Sequence, residues 1–282
     1  MIIKNQLNSM KNYSLKIKKI LEKEIDPAYV DRAEIILDKM SGKKRILEIG
    51  CGRGFYLKAL KEISPKIEIT GVDLNPKYLE IAKKYVDNKE VKIIKGNAIK
   101  LEFKENSFDG LIASEILEHI KDDKKVLKEI RRLLKPGGEV IISVPNKEYP
   151  FLWDPLNWCL ERFFRTHVPK KIWWLAGIWA GHIRLYSEDE LIKKVKESGL
   201  IIEKVWRKTK YCWPFSHFLF YGIGKNIVEN GWLKDFNRFE NEKKNSRLLK
   251  VIKKIIDFGD KRNNEDFKKG EKTTNLILIA KK

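Results

Sequence analysis

The stretch "RILEIGCGRGFYL", residues 45–57, decides the fold. An apolar run, Ile46 to Ile49, meets Gly50, Gly52 and Gly54, and a helix-forming segment opens at Phe55. Glycine at such a turn permits positive φ and lets the main chain touch a ligand. The N–H groups that open the following helix favour a polar or negatively charged group. Short glycine-rich turns also make ordinary strand-to-helix connections, so the loop alone is weak evidence for a cofactor.

Outward from this loop the pattern repeats. The spacing predicts strands over 43–50, 67–74, 91–96, 108–114 and 139–145. Helices are predicted over 55–63, 76–86 and 122–134, the last stopped by Pro136-Gly137-Gly138. Residues 10–40 read as one or two further helices, 187–199 as a helix with a Ser N-cap, and 200–208 and 274–282 as two more strands. Strands alternating with helices imply an α/β fold. The expected core is a seven-stranded, mostly parallel sheet flanked by helices, with its ligand beyond the carboxyl ends of the strands. The C-terminal strand should lie beside the sixth.

The chain then divides as follows: N-terminal helices 1–40, a cofactor-binding α/β core 41–146, and an aromatic cap insertion 147–186. Residues 187–210 and 273–282 complete the core around a second helical insertion, 211–272, which carries a Lys-rich helical stretch at 247–258.

Asp73 ends the second strand, 19 residues after Gly54. A carboxylate there can accept both hydroxyls of a ribose. The dinucleotide fingerprint would place its last glycine at position 55, which is Phe here, so the spacing argues against a pyrophosphate grip. At this point the chain resembles the class I S-adenosylmethionine-dependent methyltransferases. The matching blocks are "LEIGCGRG" (47–54), "GVDLNP" (71–76), "GNAIKLEF" (96–103), "SEILEHI" (114–120) and "LLKPGGEVIISVPN" (133–146), in family order over about 100 residues. The resemblance implies Rossmann-like architecture and S-adenosyl-L-methionine as cofactor. It implies that Glu48 and the backbone at Gly50 and Gly52 face its amino-acid part, with Gly54 completing the loop. Asp73 would bind the ribose, Leu74 would lie beside the adenine, and Asn97 and Ala98 would reach the adenine edge. Asn97 stands where the family often has Asp, and an amide can still donate and accept. Ser114 and Glu115 would flank the transferred methyl.

"EILEH" places Glu115, Glu118 and His119 within five residues. A helical turn there would bring Glu115 onto one face with Glu118 or His119. Carboxylates plus imidazole suit a hard or borderline divalent cation such as Mg. The E-x-x-E-H pattern resembles metal-dependent O-methyltransferases of quinone precursors and of RNA ribose 2′-hydroxyls, and His182 matches a further ligand in similar context. The alternative is that Glu118 and His119 only shape the pocket. Without a metal, His119 remains a general base near neutrality, with Glu115 beside it.

Lys and Arg exceed Asp and Glu by 59 − 39 = 20. That excess favours polyanions, whether nucleic acid, acidic metabolites or a membrane surface, although a thermophile-like surface rich in Lys and Glu gives the same balance. The three cysteines are widely spaced, so no disulfide framework or metal knuckle is implied. Five of the eight tryptophans fall in 147–181, with "IWWLAGIWAG" at 172–181 too short to span a bilayer. Such continuously apolar segments suit a hydrophobic or lipid-linked acceptor better than an RNA groove. The expectation is a cytoplasmic O-methyltransferase in the style of quinone, lipid and glycan pathways, able to lie peripherally on the inner face of an anionic membrane. An RNA 2′-O-methyltransferase and a cofactor-binding module without turnover are the alternatives.

Overall fold

The structure, a computed structural model, describes residues 2–22, 24–172, 175–215, 254, 262–263 and 266–282. Most of the second insertion, including the stretch 247–258 apart from residue 254, lies outside the described residues. The helices are α1 (Ile2–Leu21), α2 (Pro27–Met40), α3 (Phe55–Ile63), α4 (Pro76–Val86), α5 (Asp123–Leu133), α6 (Pro155–Phe164) and α7 (Glu188–Glu197). The strands are β1 (Arg45–Ile49), β2 (Glu68–Asp73), β3 (Lys92–Lys95), β4 (Phe108–Ser114), β5 (Leu134–Pro145), β6 (Ile201–Lys208) and β7 (Asn275–Lys281).

They form one seven-stranded sheet in the order β3-β2-β1-β4-β5-β7-β6. Pairing is parallel from β3 to β5, and β7 runs antiparallel between β5 and β6. β1 is central because it is apolar on both faces. Ile46 packs with Ile112, Ile141 and Ile277 on the side of α2 and α3, while Leu47 packs with Leu111, Ile142 and Leu278 on the side of α5 and α7. Alternate residues of a strand point to opposite faces, so such a run demands a layer of helices on each. Strand order reverses between β1 and β4, and that switch point opens a crevice at their carboxyl ends.

β5 begins at Leu134, five residues earlier than the apolar pattern suggests. Leu134 pairs with Phe108, a bulge follows, and Gly137 N donates to the Lys282 carbonyl at 3.2 Å. The Pro-Gly-Gly segment thus ends the helix while its backbone joins the sheet edge formed with the C-terminus.

The cap is built around a buried pair. Asp154 accepts from Asn157 N at 3.1 Å, from Asn157 Nδ2 at 2.8 Å and from Ile178 N at 2.9 Å. Asn157 in turn bonds the Ala176 carbonyl at 3.0 Å and accepts from Val168 N at 2.8 Å. These bonds tie α6 to 168 and to the 3-10 turn Gly177–Trp179. A Cβ at Gly177, whose φ is +56°, would sit 2.0 Å from Asp154 Oδ2, so only glycine fits.

Ile277 is fully buried on β7 between β5 and β6. Ile277→Ala should lower unfolding free energy by about 2–5 kcal/mol, measured by urea denaturation. A loss below about 0.5 kcal/mol would be that of a surface site and would contradict the central placement of β7.

Candidate active site

The loop after β1 wraps a carboxylate. Asp73, at the end of β2, accepts from Gly52 N at 2.8 Å through one oxygen and from Asn75 N at 2.8 Å through the other. Gly50 N and Cys51 N both donate to the Val72 carbonyl, at 2.8 and 3.0 Å, so the turn is strapped to β2. A Cβ at Gly52 would meet nothing within 4 Å, which leaves open space above the loop. Gly54 differs: a Cβ there would approach Val86 and Ala82 at 3.0 and 3.1 Å, so this glycine serves the packing of α3 on α4.

Glu48 lies beneath the loop and is buried, and its Oε2 has no hydrogen-bond partner among the described residues. Burial, and then the Asp73 charge, pushes its carboxyl well above the usual range. A buried carboxyl oxygen left without a partner is a group that a donor or cation on a ligand would satisfy. Leu74 is exposed, and Asn97 Oδ1 accepts from Ile99 N at 3.1 Å. The Asn97 carbonyl thus closes its own turn beside half-buried Ala98.

At the end of β4, Ser114 Oγ lies 2.9 Å from Ser143 Oγ, and Ser143 Oγ donates to Glu115 at 3.1 Å. Glu115 has a φ of +53°, which turns the chain sharply out of the strand. Only Leu117–His119 then forms a 3-10 turn. The helical face expected to join Glu115 to Glu118 or His119 therefore does not form. The Glu115 carboxylate is instead met by Arg32, 3.3 Å away, a buried guanidinium from α2. Arg32 also donates to Asn275 Oδ1 at 3.4 Å, and Asn275 bonds the Ala28 carbonyl at 2.7 Å. Arg32 was not singled out from the sequence, yet a signal was there: it falls on the buried stripe of α2, with Tyr29, Ala33 and Ile36. Buried cations occupy such stripes only when paired. Tyr56, also buried, faces Arg32, Ser114 and Glu48; burial pushes its hydroxyl up, and Arg32 opposes that shift.

Glu118, His119 and His182 do converge. Their ligand atoms all lie within 4.8 Å of one another. Glu118 is fully buried, and neither carboxylate oxygen has a hydrogen-bond partner among the described residues. Nε2 of His119 is 3.7 Å from Glu118 Oε1, and Nε2 of His182 is 4.0 Å from the same atom. Each Nδ1 faces a backbone carbonyl, Gly181 at 3.0 Å for His119 and Ile178 at 2.6 Å for His182. A nitrogen facing a carbonyl must carry the hydrogen, so in the neutral rings both Nε2 lone pairs point at the carboxylate. Burial, then His119, lowers His182 to about 4, while burial, then Glu115, raises Glu118 well above its usual value. Three acceptors facing one another need a shared proton or a cation between them.

The return of the cap is fixed by Asp123. It pairs with Arg184 and Lys194, both at 2.6 Å, and accepts from Tyr186 Oη at 2.6 Å. Ile183 N donates to the Glu118 carbonyl at 2.9 Å, which pins His182 next to it. Burial pushes the Asp123 carboxyl up, but donors from Lys194, Tyr186 and Arg184 outweigh it and hold it below the ordinary range.

Residues 47–142 match a protein family described as a methyltransferase domain. The chain is 28% identical over 197 residues to a demethylmenaquinone methyltransferase of Thermotoga maritima, covering 65% of this chain and 81% of that protein. It is 38% identical over 99 residues to a demethylmenaquinone methyltransferase of Staphylococcus aureus, covering 34% of this chain but only 41% of the relative. In fold it is similar to a SAM dependent methyltransferase from Archaeoglobus fulgidus, with a TM-score of 0.52 at 18% identity over 89% of this chain and 92% of that one. With its seven-stranded sheet and wrapped glycine loop, the chain has the fold of the class I S-adenosylmethionine-dependent methyltransferases, and its residues 47–142 match a methyltransferase domain. Its cofactor is S-adenosyl-L-methionine.

Two outcomes are expected. Asp73→Ala removes both bonds that shape the loop. It should weaken binding of S-adenosylmethionine on the order of 100-fold by calorimetry; unchanged affinity would refute the assignment. For Asp123, a folded value below the unfolded one stabilises above about pH 3.9 and loses that effect as pH falls through the depressed value. The stability gap between the native protein and Asp123→Asn should therefore shrink from pH 7 to pH 3, read by chemical denaturation. A gap that stayed constant would contradict the ion cluster.

Proposed function

We propose that the chain transfers the methyl of S-adenosylmethionine to a hydroxyl of a hydrophobic, quinol-like or otherwise lipid-linked acceptor. The observation that carries this reading is the convergence of Glu118, His119 and His182 near Ser114 and Glu115, under an aromatic cap. The sulfonium is already an activated donor, so the protein must align the acceptor, exclude water and remove a proton. His119 is the least buried of the three and keeps an Nε2 lone pair, which suits it to take that proton. Burial holds His182 neutral and keeps Glu118 away from water beside it.

The same three side chains would hold a divalent cation through one carboxylate oxygen and two imidazole nitrogens. That donor set favours a borderline transition-metal ion over Mg. Bound there, such an ion would supply Lewis acidity that lowers the pKa of an acceptor hydroxyl. Glu115, already held by Arg32 and Ser143, is better read as an acceptor-side group than as a ligand. The quinone-related names of the relatives support the acceptor class.

The test is a two-part assay with labelled S-adenosylmethionine. One arm offers a short-tailed, water-soluble hydroquinone; the other offers RNA. Label should enter the hydroquinone as an O-methyl group, identified by NMR. Label in RNA alone would overturn the acceptor class, and a C-methyl product would overturn the choice of oxygen. His119→Ala should lower turnover by about 10²–10⁴-fold with cofactor affinity unchanged. Full turnover in that variant would remove His119 from the chemistry.

A further inference from the structure

We propose that the tip of the cap, residues 162–172, is a docking surface for an anionic lipid bilayer. Phe163 and Phe164, at the end of α6, are 71% and 73% exposed, more than any other large apolar side chain among the described residues. Single exposed apolar residues are ordinary. Two adjacent phenylalanines held out of a helix end are different, because the frame behind them is rigid. Asp154 and Asn157 lock α6 to Val168, Ala176 and Ile178. Arg165 closes the helix in the left-handed region and Thr166 N bonds the Leu160 carbonyl at 3.2 Å, so the ring pair cannot fold back by unwinding a free end.

The charge around the pair has one sign. From Arg162 to Tyr186 the sequence contains no Asp or Glu, yet it carries Arg162, Arg165, Lys170, Lys171 and Arg184. Among the described residues, Arg165, Lys170 and Lys171 are exposed and make no ion pair with a carboxylate. Ile172, 38% exposed, adds an aliphatic group beside them. Aromatic rings seated at headgroup depth, with cations on lipid phosphates around them, give this composition its most favourable environment. RNA would match the cations but gains little from Ile172, and the observations favour the bilayer. No helix among the described residues is long and apolar enough to cross a membrane, so contact would be peripheral.

The surface also borders the site. The charge of Lys170 is near enough to help hold His182 neutral, and His167 stacks on Trp179 with ring centroids 4.2 Å apart. A tip seated in the headgroups would turn the pocket mouth toward the lipid. The consequence for catalysis rests on the acceptor class proposed above; the binding itself does not.

The experiment is flotation of the full chain with vesicles of phosphatidylcholine, alone or with 30% phosphatidylglycerol, flanked by an RNA competition arm. Binding should be at least about tenfold tighter to the anionic vesicles and weaken with salt. Phe163→Ala with Phe164→Ala should weaken it by about tenfold or more. Arg165→Gln, Lys170→Gln and Lys171→Gln together should abolish the preference for anionic lipid. The Phe variant should keep its affinity for S-adenosylmethionine, which reports folding, and its turnover of the water-soluble hydroquinone, while turnover of a bilayer-embedded acceptor falls. No preference for anionic vesicles, an unaffected Phe variant, or displacement by RNA at equal charge concentration would each overturn the surface. If neither acceptor is methylated but the vesicle results hold, the acceptor reading falls and the docking surface stands.

Discussion

The carboxylate of Asp73 is the constraint on which the cofactor side of this protein depends. It sits at the tip of β2 and accepts from the backbone of the loop after β1, so the two strands share one bend. Because those oxygens accept backbone N–H groups from a turn of fixed shape, the loop is formed before any ligand arrives. Preorganisation of this kind spares the ordering cost that a floppy glycine loop would impose on binding. Glu48, buried beneath it with an unpartnered oxygen, is held toward its neutral form by burial and by the Asp73 charge.

On the acceptor side a different logic operates. Arg32, Asn275 and Asp123 are structural anchors around the residues that follow β4. Arg32 reaches from α2 to Glu115. Asn275 ties α2 to the last strand. Asp123 pins the segment that brings His182 to Glu118. Pieces of chain far apart in sequence therefore meet around the few residues after β4, and loss of the Asp123 cluster would loosen the segment that holds His182 against Glu118.

The antiparallel β7 explains how distant pieces of chain are united. It lies between β5 and β6, so the edge strand β6 joins the sheet only through the last strand of the chain. The cap and the core are thus not independent: Asn275 on β7 accepts from Arg32 of α2, and Thr273, just before β7, accepts from Asn146 where the chain leaves β5 for the cap.

Much of this was legible in the sequence. The alternation of apolar runs with amphipathic segments determined the strands and helices, because burial on both faces leaves no other periodicity for β1, β4 and β5. Asp73 and the glycines were legible as a unit because a tight strand-to-helix turn needs glycine, and the structure shows the Asp73 carboxylate accepting from that turn's backbone. The ordered pair Glu118 and His119 could be picked out, but not its geometry. Glu115 was expected to share a helical face with them; its left-handed backbone points it to Arg32 instead, a turn set by how β4 meets β5 rather than by local propensity. Local sequence encodes what neighbours along the chain can satisfy between themselves. Which buried cation meets which carboxylate, and which lone pair is left facing another, depends on contacts between residues more than 60 positions apart, and only the packed tertiary structure decides those.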